Sequence, residues 1–452
     1  MPCGYGVPRI DRVNSTNISR QMPDASDLDR LSAGRDRVVD LVRIVSLVVV
    51  IVGHSLMLTV VTDAGRISLG NTLAAVPVLQ ALTWVLQIMP LFFFAGAAAA
   101  TYGWRSGTTP GQWLLGRAQR LLRPLVWYLA FAGSTVAILQ LAGLDAAAGV
   151  TAGLSVQLLW FLGAYLLVLA VVPLLQQITT TRHLIVAVAC CLAAIGTVDA
   201  VRLTVGPAWL GYLNFLIVWM LPAIFGVTYA KRLVTSRWAV VVAAIAFLAD
   251  IVLVAVGPYE LSMVTVPGQH LSNMSPPTLL LAGHAVTLGA LVTALRGPLA
   301  RLTMRPRLWW WVAMGNRGAM TLYLWHLPVL AAIIAGGIAL GLERDPSSPT
   351  FVPTIIAETV VLVTLMIVVT AVLSPLENRR LPWWDATLER SASAGRDLAM
   401  LLCLVVVAAS LLLLAHDGIL IGWYWIAVAV AAAIGARSLA ILRSPREFAP
   451  IS

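Results

Sequence analysis

The stretch Arg35–His54, RDRVVDLVRIVSLVVVIVGH, opens with charge and continues as an apolar run to about Val61. A helix of about 20 apolar residues crosses a bilayer, so this run is long enough to span one. Arg43 and His54 stand eleven residues apart. At about 100° per residue that is three turns and about 20°, which puts both side chains on one helix face, about 16 Å apart along the axis. Asp40 lies one turn before Arg43 on nearly the same face. A helix otherwise built of Val, Leu and Ile therefore keeps three ionisable groups in one line. Such groups are costly in hydrocarbon and usually face a cavity or a partner.

The rest of the chain is of the same kind. Its 452 residues are 60% hydrophobic and 11% charged, with a mean hydropathy of +0.89, whereas a soluble domain carries about 25% charge. The composition is that of a polytopic membrane protein. Every spanning backbone group must then be bonded internally, which predicts an all-α bundle. Residues 1–34 are polar, with no apolar core of a signal peptide. They are expected to be a disordered cytoplasmic tail, with the first span acting as signal anchor. Twelve apolar runs follow, near 41–61, 78–103, 124–143, 157–177, 184–203, 210–230, 238–257, 278–296, 318–341, 352–374, 398–416 and 419–437. The last two are joined by His416, Asp417 and Gly418 alone and form a helical hairpin. The expected divisions are a tail (1–34), a membrane domain (35–380), a cytoplasmic linker (381–397), a transmembrane hairpin (398–437) and a second cytoplasmic tail (438–452).

The formal charge of +10 comes from thirty basic residues, of which Lys231 is the one lysine. With a cytoplasmic N-terminus, twenty-six of them fall in inside segments; only Arg66, Arg202 and Arg344 fall outside, and Arg43 lies at the membrane edge. That asymmetry is the positive-inside pattern and puts both termini in the cytoplasm. It accounts for the basic excess without a nucleic-acid partner. Richness in Ala, Val and Arg with a single Lys suggests a GC-rich bacterial genome. Cys3, Cys190, Cys191 and Cys403 have no metal-site spacing, and no metal is expected.

The ionisable residues inside spans are Arg43, His54, Asp250, His284, His326 and Glu358, with Asp199 and Arg202 near an outer end. A snorkelling arginine accounts for Arg43 alone, and a hydrogen-bonded buried histidine accounts for His54 alone. Asp40 suits either the positive end of a helix or a partnership with Arg43. Three further stretches stand out. In WRSGTTPGQWLLGRAQRLLRPLVWYL (residues 104–129), Arg117, Arg120 and Arg123 recur every three residues. On a short surface helix they form a basic ridge, suited to a phosphate-bearing ligand or to anionic lipid. In LLWFLGAYLLVLAVVP, Trp160 and Phe161 begin a helix at the outer interface, where an aromatic belt is the simple reading. In NRGAMTLYLWHLP, Tyr323 and His326 enter the bilayer from inside, His326 about 12 Å deep. Pro328 there frees the Leu324 carbonyl.

These four stretches, in this order, resemble the acyltransferase-3 family of integral membrane O-acyltransferases. Arg43, ten residues and His54 match its first-span pattern, and Arg117, Arg120, Arg123 and Pro124 match its arginine-rich loop. LWFLGAYL (159–166) and LYLWHLP (322–328) look like two further spans of the family, and MPLFFFAGAAAA (89–100) is similar to its second span. The resemblance covers roughly residues 35–375. It implies a ten-span core, to which the hairpin 398–437 is an addition.

What the resemblance implies is transfer of an acyl group from a cytoplasmic coenzyme A thioester to a hydroxyl of a cell-envelope glycan or glycolipid, at the inner (plasma) membrane. Acyl-CoA is then a co-substrate, and no tightly bound cofactor is expected. Envelope glycan or glycolipid and the membrane lipids are the partners. His54, Arg43, His326 and Tyr323 are the expected catalytic set, with His54 as base. Arg117, Arg120, Arg123, Asp40 and Trp160 are the expected donor-binding set. An exporter of envelope glycan or lipid, without acyl transfer, is the competing reading.

Overall fold

The structure, a computed structural model, describes residues 35–63, 66–105, 107–386 and 393–441. Both expected tails therefore lie largely outside the described residues, as does the middle of the linker. The first helix, α1 (Arg37–Met57), is capped by Asp36, whose carboxylate accepts from the backbone N–H groups of Val38 and Val39 at 3.0 and 3.4 Å. It ends before the apolar run does. Leu58–Asp63 (β1) and Arg66–Asn71 (β2) form an antiparallel hairpin instead. The β-branched Thr59, Val60, Val61 and Thr62 favour extended backbone. This is a departure from a purely helical chain.

The second span is broken. A 3-10 turn at Pro77–Leu82 and a short helix at Thr83–Leu86 precede α2 (Met89–Tyr102), which starts afresh after Gln87 and Ile88. Pro90 sits in the first turn of α2, where its missing N–H costs nothing. Then come α3 (Pro110–Leu141), α4 (Asp145–Gln157), α5 (Leu159–Leu175), α6 (Thr181–Thr204), α7 (Asn214–Ala230) and α8 (Ser236–Val256). They are followed by α9 (Leu279–Ala294), α10 (Arg296–Thr303), α11 (Pro306–Arg317), α12 (Ala319–Ala339), α13 (Phe351–Glu377), α14 (Ala394–Asp417) and α15 (Ile419–Ile441). Among the described residues, eleven helical segments are long and apolar enough to cross a membrane; joining α9 to α10 across a 61° bend makes twelve. The protein is an all-α polytopic membrane protein, with each of the twelve expected spans represented.

Two boundaries differ from expectation in a way that matters. α3 is one helix of 32 residues, so Arg117, Arg120 and Arg123 lie on the first half of a spanning helix rather than on a separate surface helix. Arginines depress a hydropathy window without ending a helix, and Arg is a good helix former. The next span is α4 and α5 together, Asp145–Leu175. Trp160 consequently stands halfway along a span, not at its outer start.

α2 lies at the centre. Phe93, Phe94, Ala95 and Ala98 are fully buried, and the run of small residues lets α7 come close, with Gly226 directly against the Phe94 carbonyl. The C-terminal hairpin is part of the same body. α14 lies along α5 and α3, and Gly163 of α5 meets the Ala408 carbonyl of α14. Asp397, one turn into α14, accepts from the backbone N–H groups of Gly111 and Gln112, each at 3.1 Å, and from the Thr109 hydroxyl. A carboxylate from the hairpin thus caps α3.

Candidate functional site

α1 and α12 start at a common level. The Asn316 side chain, just before α12, donates to the Asp40 carbonyl on α1 at 2.8 Å. Fourteen residues further along α1 and ten beyond Asn316, the two helices bring His54 and His326 together. Nδ1 of His54 lies 3.1 Å from Nε2 of His326. The rings stack with centroids 5.1 Å apart and planes inclined by 27°. His326 is wholly buried, while His54 keeps part of its surface exposed.

The partners fix the tautomers. Nδ1 of His326 faces the carbonyls of Tyr323 at 2.8 Å and Leu322 at 3.2 Å. Carbonyl oxygens only accept, so this nitrogen carries the proton. In the neutral ring Nε2 is then an acceptor, and it takes the proton offered by Nδ1 of His54. That leaves Nε2 of His54 unprotonated, with its lone pair free for a ligand. The carbonyl of a helix turn, an imidazole and a second imidazole form a relay ending in a basic nitrogen inside the bundle.

At the start of α1, Asp40 takes Arg35 at 2.7 Å and Arg43 at 3.6 Å, so Asp40 is a partner of Arg43. The Arg43 side chain is 24% exposed. The other expected site residues divide. Arg120 is exposed. Arg117 lies over the Trp113 ring at 3.8 Å and reaches the Ala100 carbonyl at 3.4 Å. Arg123 is committed elsewhere, paired with Asp385 and bonded to the Asn378 carbonyl at 3.0 Å. One turn before it, Gln119 and Trp384 exchange side chain-to-backbone bonds. The Tyr323 hydroxyl donates to the Leu158 carbonyl at the α4–α5 junction. Trp160 belongs to an aromatic cluster with Phe161, Phe215 and Trp219. None of the described contacts joins Arg117 or Arg120 to Arg43.

The remaining intramembrane ionisable groups are mostly structural. His284 faces the Gln87 carbonyl at 3.1 Å and holds the break in the second span, with Trp84 against its ring. Asp250 fits into the notch left by Gly283. Asp199 pairs with Arg202 at 3.2 Å and accepts from Tyr259 and Asn214. One pairing was not legible in the sequence. Arg344, counted above as an outer-loop arginine, is 1% exposed and ion-paired with Glu358 of α13. Its Nη1 donates to the carbonyls of Ser55 at 2.6 Å and Leu58 at 3.0 Å. Ser55 lies in the last turn of α1, directly after His54, and Leu58 is the residue that caps its end. Among the described residues no three His, Cys, Asp or Glu side chains stand together as a metal site.

Comparison with known proteins adds one firm result. Residues 36–375 match the acyltransferase domain that defines the acyltransferase-3 family. No curated protein and no solved structure matches the chain. The matched segment begins at the cap of α1 and ends within α13, so it contains both histidines and the arginines of α3, and the hairpin α14–α15 lies beyond it. On that match the chain belongs to the acyltransferase-3 family and is a membrane acyltransferase.

Proposed function

We propose that the protein moves a short acyl group from a coenzyme A thioester to a hydroxyl of a cell-envelope glycan or glycolipid, with His54 as the general base. The observation that carries this reading is the His54–His326 contact, because it leaves Nε2 of His54 unprotonated on a ring that keeps part of its surface exposed. The acceptor hydroxyl gives its proton to Nε2 as its oxygen attacks the thioester carbonyl. The tetrahedral intermediate collapses with loss of the thiolate, which takes the proton back from the imidazolium and leaves as free thiol. His326 holds the reactive tautomer throughout, and Tyr323 fixes the helix that carries it.

The arginine-rich end of the bundle faces the cytoplasm in this reading, in the inner membrane, with both termini on that side. Arg117 and Arg120 receive the phosphates of the donor, and Arg43, held by Asp40, stands between them and the base. About 16 Å along α1 separates Arg43 from His54, a span suited to an extended pantetheine arm. Arg123 and Trp160 support the helices around this path.

The test is purified protein in sealed proteoliposomes with radiolabelled acetyl-CoA and envelope glycolipid. Label should enter the glycolipid with release of one free thiol, and His54→Ala should abolish both while the protein stays folded. Glycolipid movement across the bilayer without thiol release would return the chain to the exporter class.

A further inference from the structure

The outer end of α1 would ordinarily leave its last carbonyls without partners. Here Arg344 reaches one of them, that of Ser55, together with the carbonyl of the cap residue Leu58, one and four residues beyond His54. The same guanidinium is held by Glu358, and both side chains are buried, at 1% and 8% exposure. Val60, at the start of the β-hairpin, forms a backbone bridge with Arg344. One residue along α13, Thr359 meets the Ser55 hydroxyl at 2.8 Å. Glu358 also touches the helix of the second histidine. A Cβ on Gly337 of α12 would stand 2.6 Å from its Oε1, so glycine is what lets the carboxylate lie against α12. Gly337 is eleven residues beyond His326 and therefore on the same face of α12.

We infer that the Arg344–Glu358 pair is a positioning device. It ties the end of α1 to α13 and α12, and so sets the approach of His54 to His326. Neither residue touches the reacting atoms. A planar guanidinium is needed because it must serve one carboxylate and two carbonyls at once, and a lysine ammonium cannot reproduce that fork. The inference rests on the reading of His54 as the base, but the geometry it claims can be checked without any catalysis.

Loss of one partner leaves a buried charge and risks misfolding. The informative variant is therefore the paired apolar replacement Arg344→Met with Glu358→Met, since such swaps are often neutral for stability. Two readouts are required at matched thermal stability. One is the solid-state 15N signature of the hydrogen-bonded imidazole pair in histidine-labelled protein, identified by its loss in His326→Gln. The other is the split of kcat from donor KM. The double variant should lose the pair signature, and kcat should fall about 100-fold with KM within about twofold, the cost of misplacing a reacting group by about 1 Å. Arg344→Lys, which keeps the charge, should recover only a minor part of kcat. Retention of the paired signature and of kcat in the double variant would overturn the inference, as would full recovery by lysine. If wild-type protein shows no acyl transfer, the functional reading fails alone, and the imidazole signature still decides whether the clamp sets the pair.

Discussion

Replacing His326 tests the tautomer argument directly. In His326→Ala the N–H at Nδ1 of His54 loses its acceptor inside the bundle. An unsatisfied buried donor costs about 1–3 kcal/mol. The ring relieves that cost by turning away or by moving its proton to Nε2, and either removes the base. At about 1.4 kcal/mol per tenfold, the expected fall in kcat is between about 5-fold and 150-fold, with donor KM unchanged. His326→Gln separates the roles. Its amide oxygen reaches about as far as Nε2 of the imidazole and accepts the same hydrogen bond, but it cannot titrate. If His326 only orients His54, glutamine should keep kcat within about tenfold of wild type and well above alanine, taking about 1 kcal/mol as the worth of the restored bond. The assay is thiol release from acetyl-CoA under saturating glycolipid, with thermal melting of each variant as control. Equal inactivity of the glutamine and alanine variants, at unchanged stability, would refute the reasoning and make His326 a proton carrier in its own right.

The arginines of α3 should separate by partner. Arg120→Ala, at an exposed side chain, should raise donor KM about tenfold with little change in melting, whereas Arg123→Ala breaks the Asp385 pair and should lower stability by about 1–3 kcal/mol with KM nearly constant; steady-state kinetics and melting curves of both variants check the contrast. Asp397→Ala removes the cap of α3 and should cost about 1–2 kcal/mol, read as a lower midpoint in detergent unfolding, with Asp397→Asn losing less.

The sequence speaks clearly where the physics is local. Bilayer spans are set by the composition of each window, so all twelve were visible, and His54 stood out because a single imidazole interrupts an apolar helix. The contact of His54 with His326 depends on residues 272 positions apart, and no window contains both. Arg344 shows the limit most sharply. In the sequence it is one more loop arginine, with nothing to separate it from Arg66. Its burial depends on Glu358 and on the open carbonyls at the end of α1, and only the assembled bundle brings these together. Arg123 misled for the complementary reason. Its spacing with Arg117 and Arg120 is real, but Asp385 claims it from 262 residues away. The end of α1 was overestimated because hydropathy does not distinguish a helix from a β-branched strand of equal apolarity.

Asp397 closes the amino end of α3 across 286 residues of chain. Synthesis proceeds at about 5–20 residues per second, so α3 waits about 15 to 60 s between its own emergence and the arrival of its cap. During that interval the helix bearing the three arginines has its first N–H groups open and lacks both Asp385 and the α14 wall. A chain cut before α14 would insert nine or ten spans into the bilayer and still leave its arginine helix unfinished.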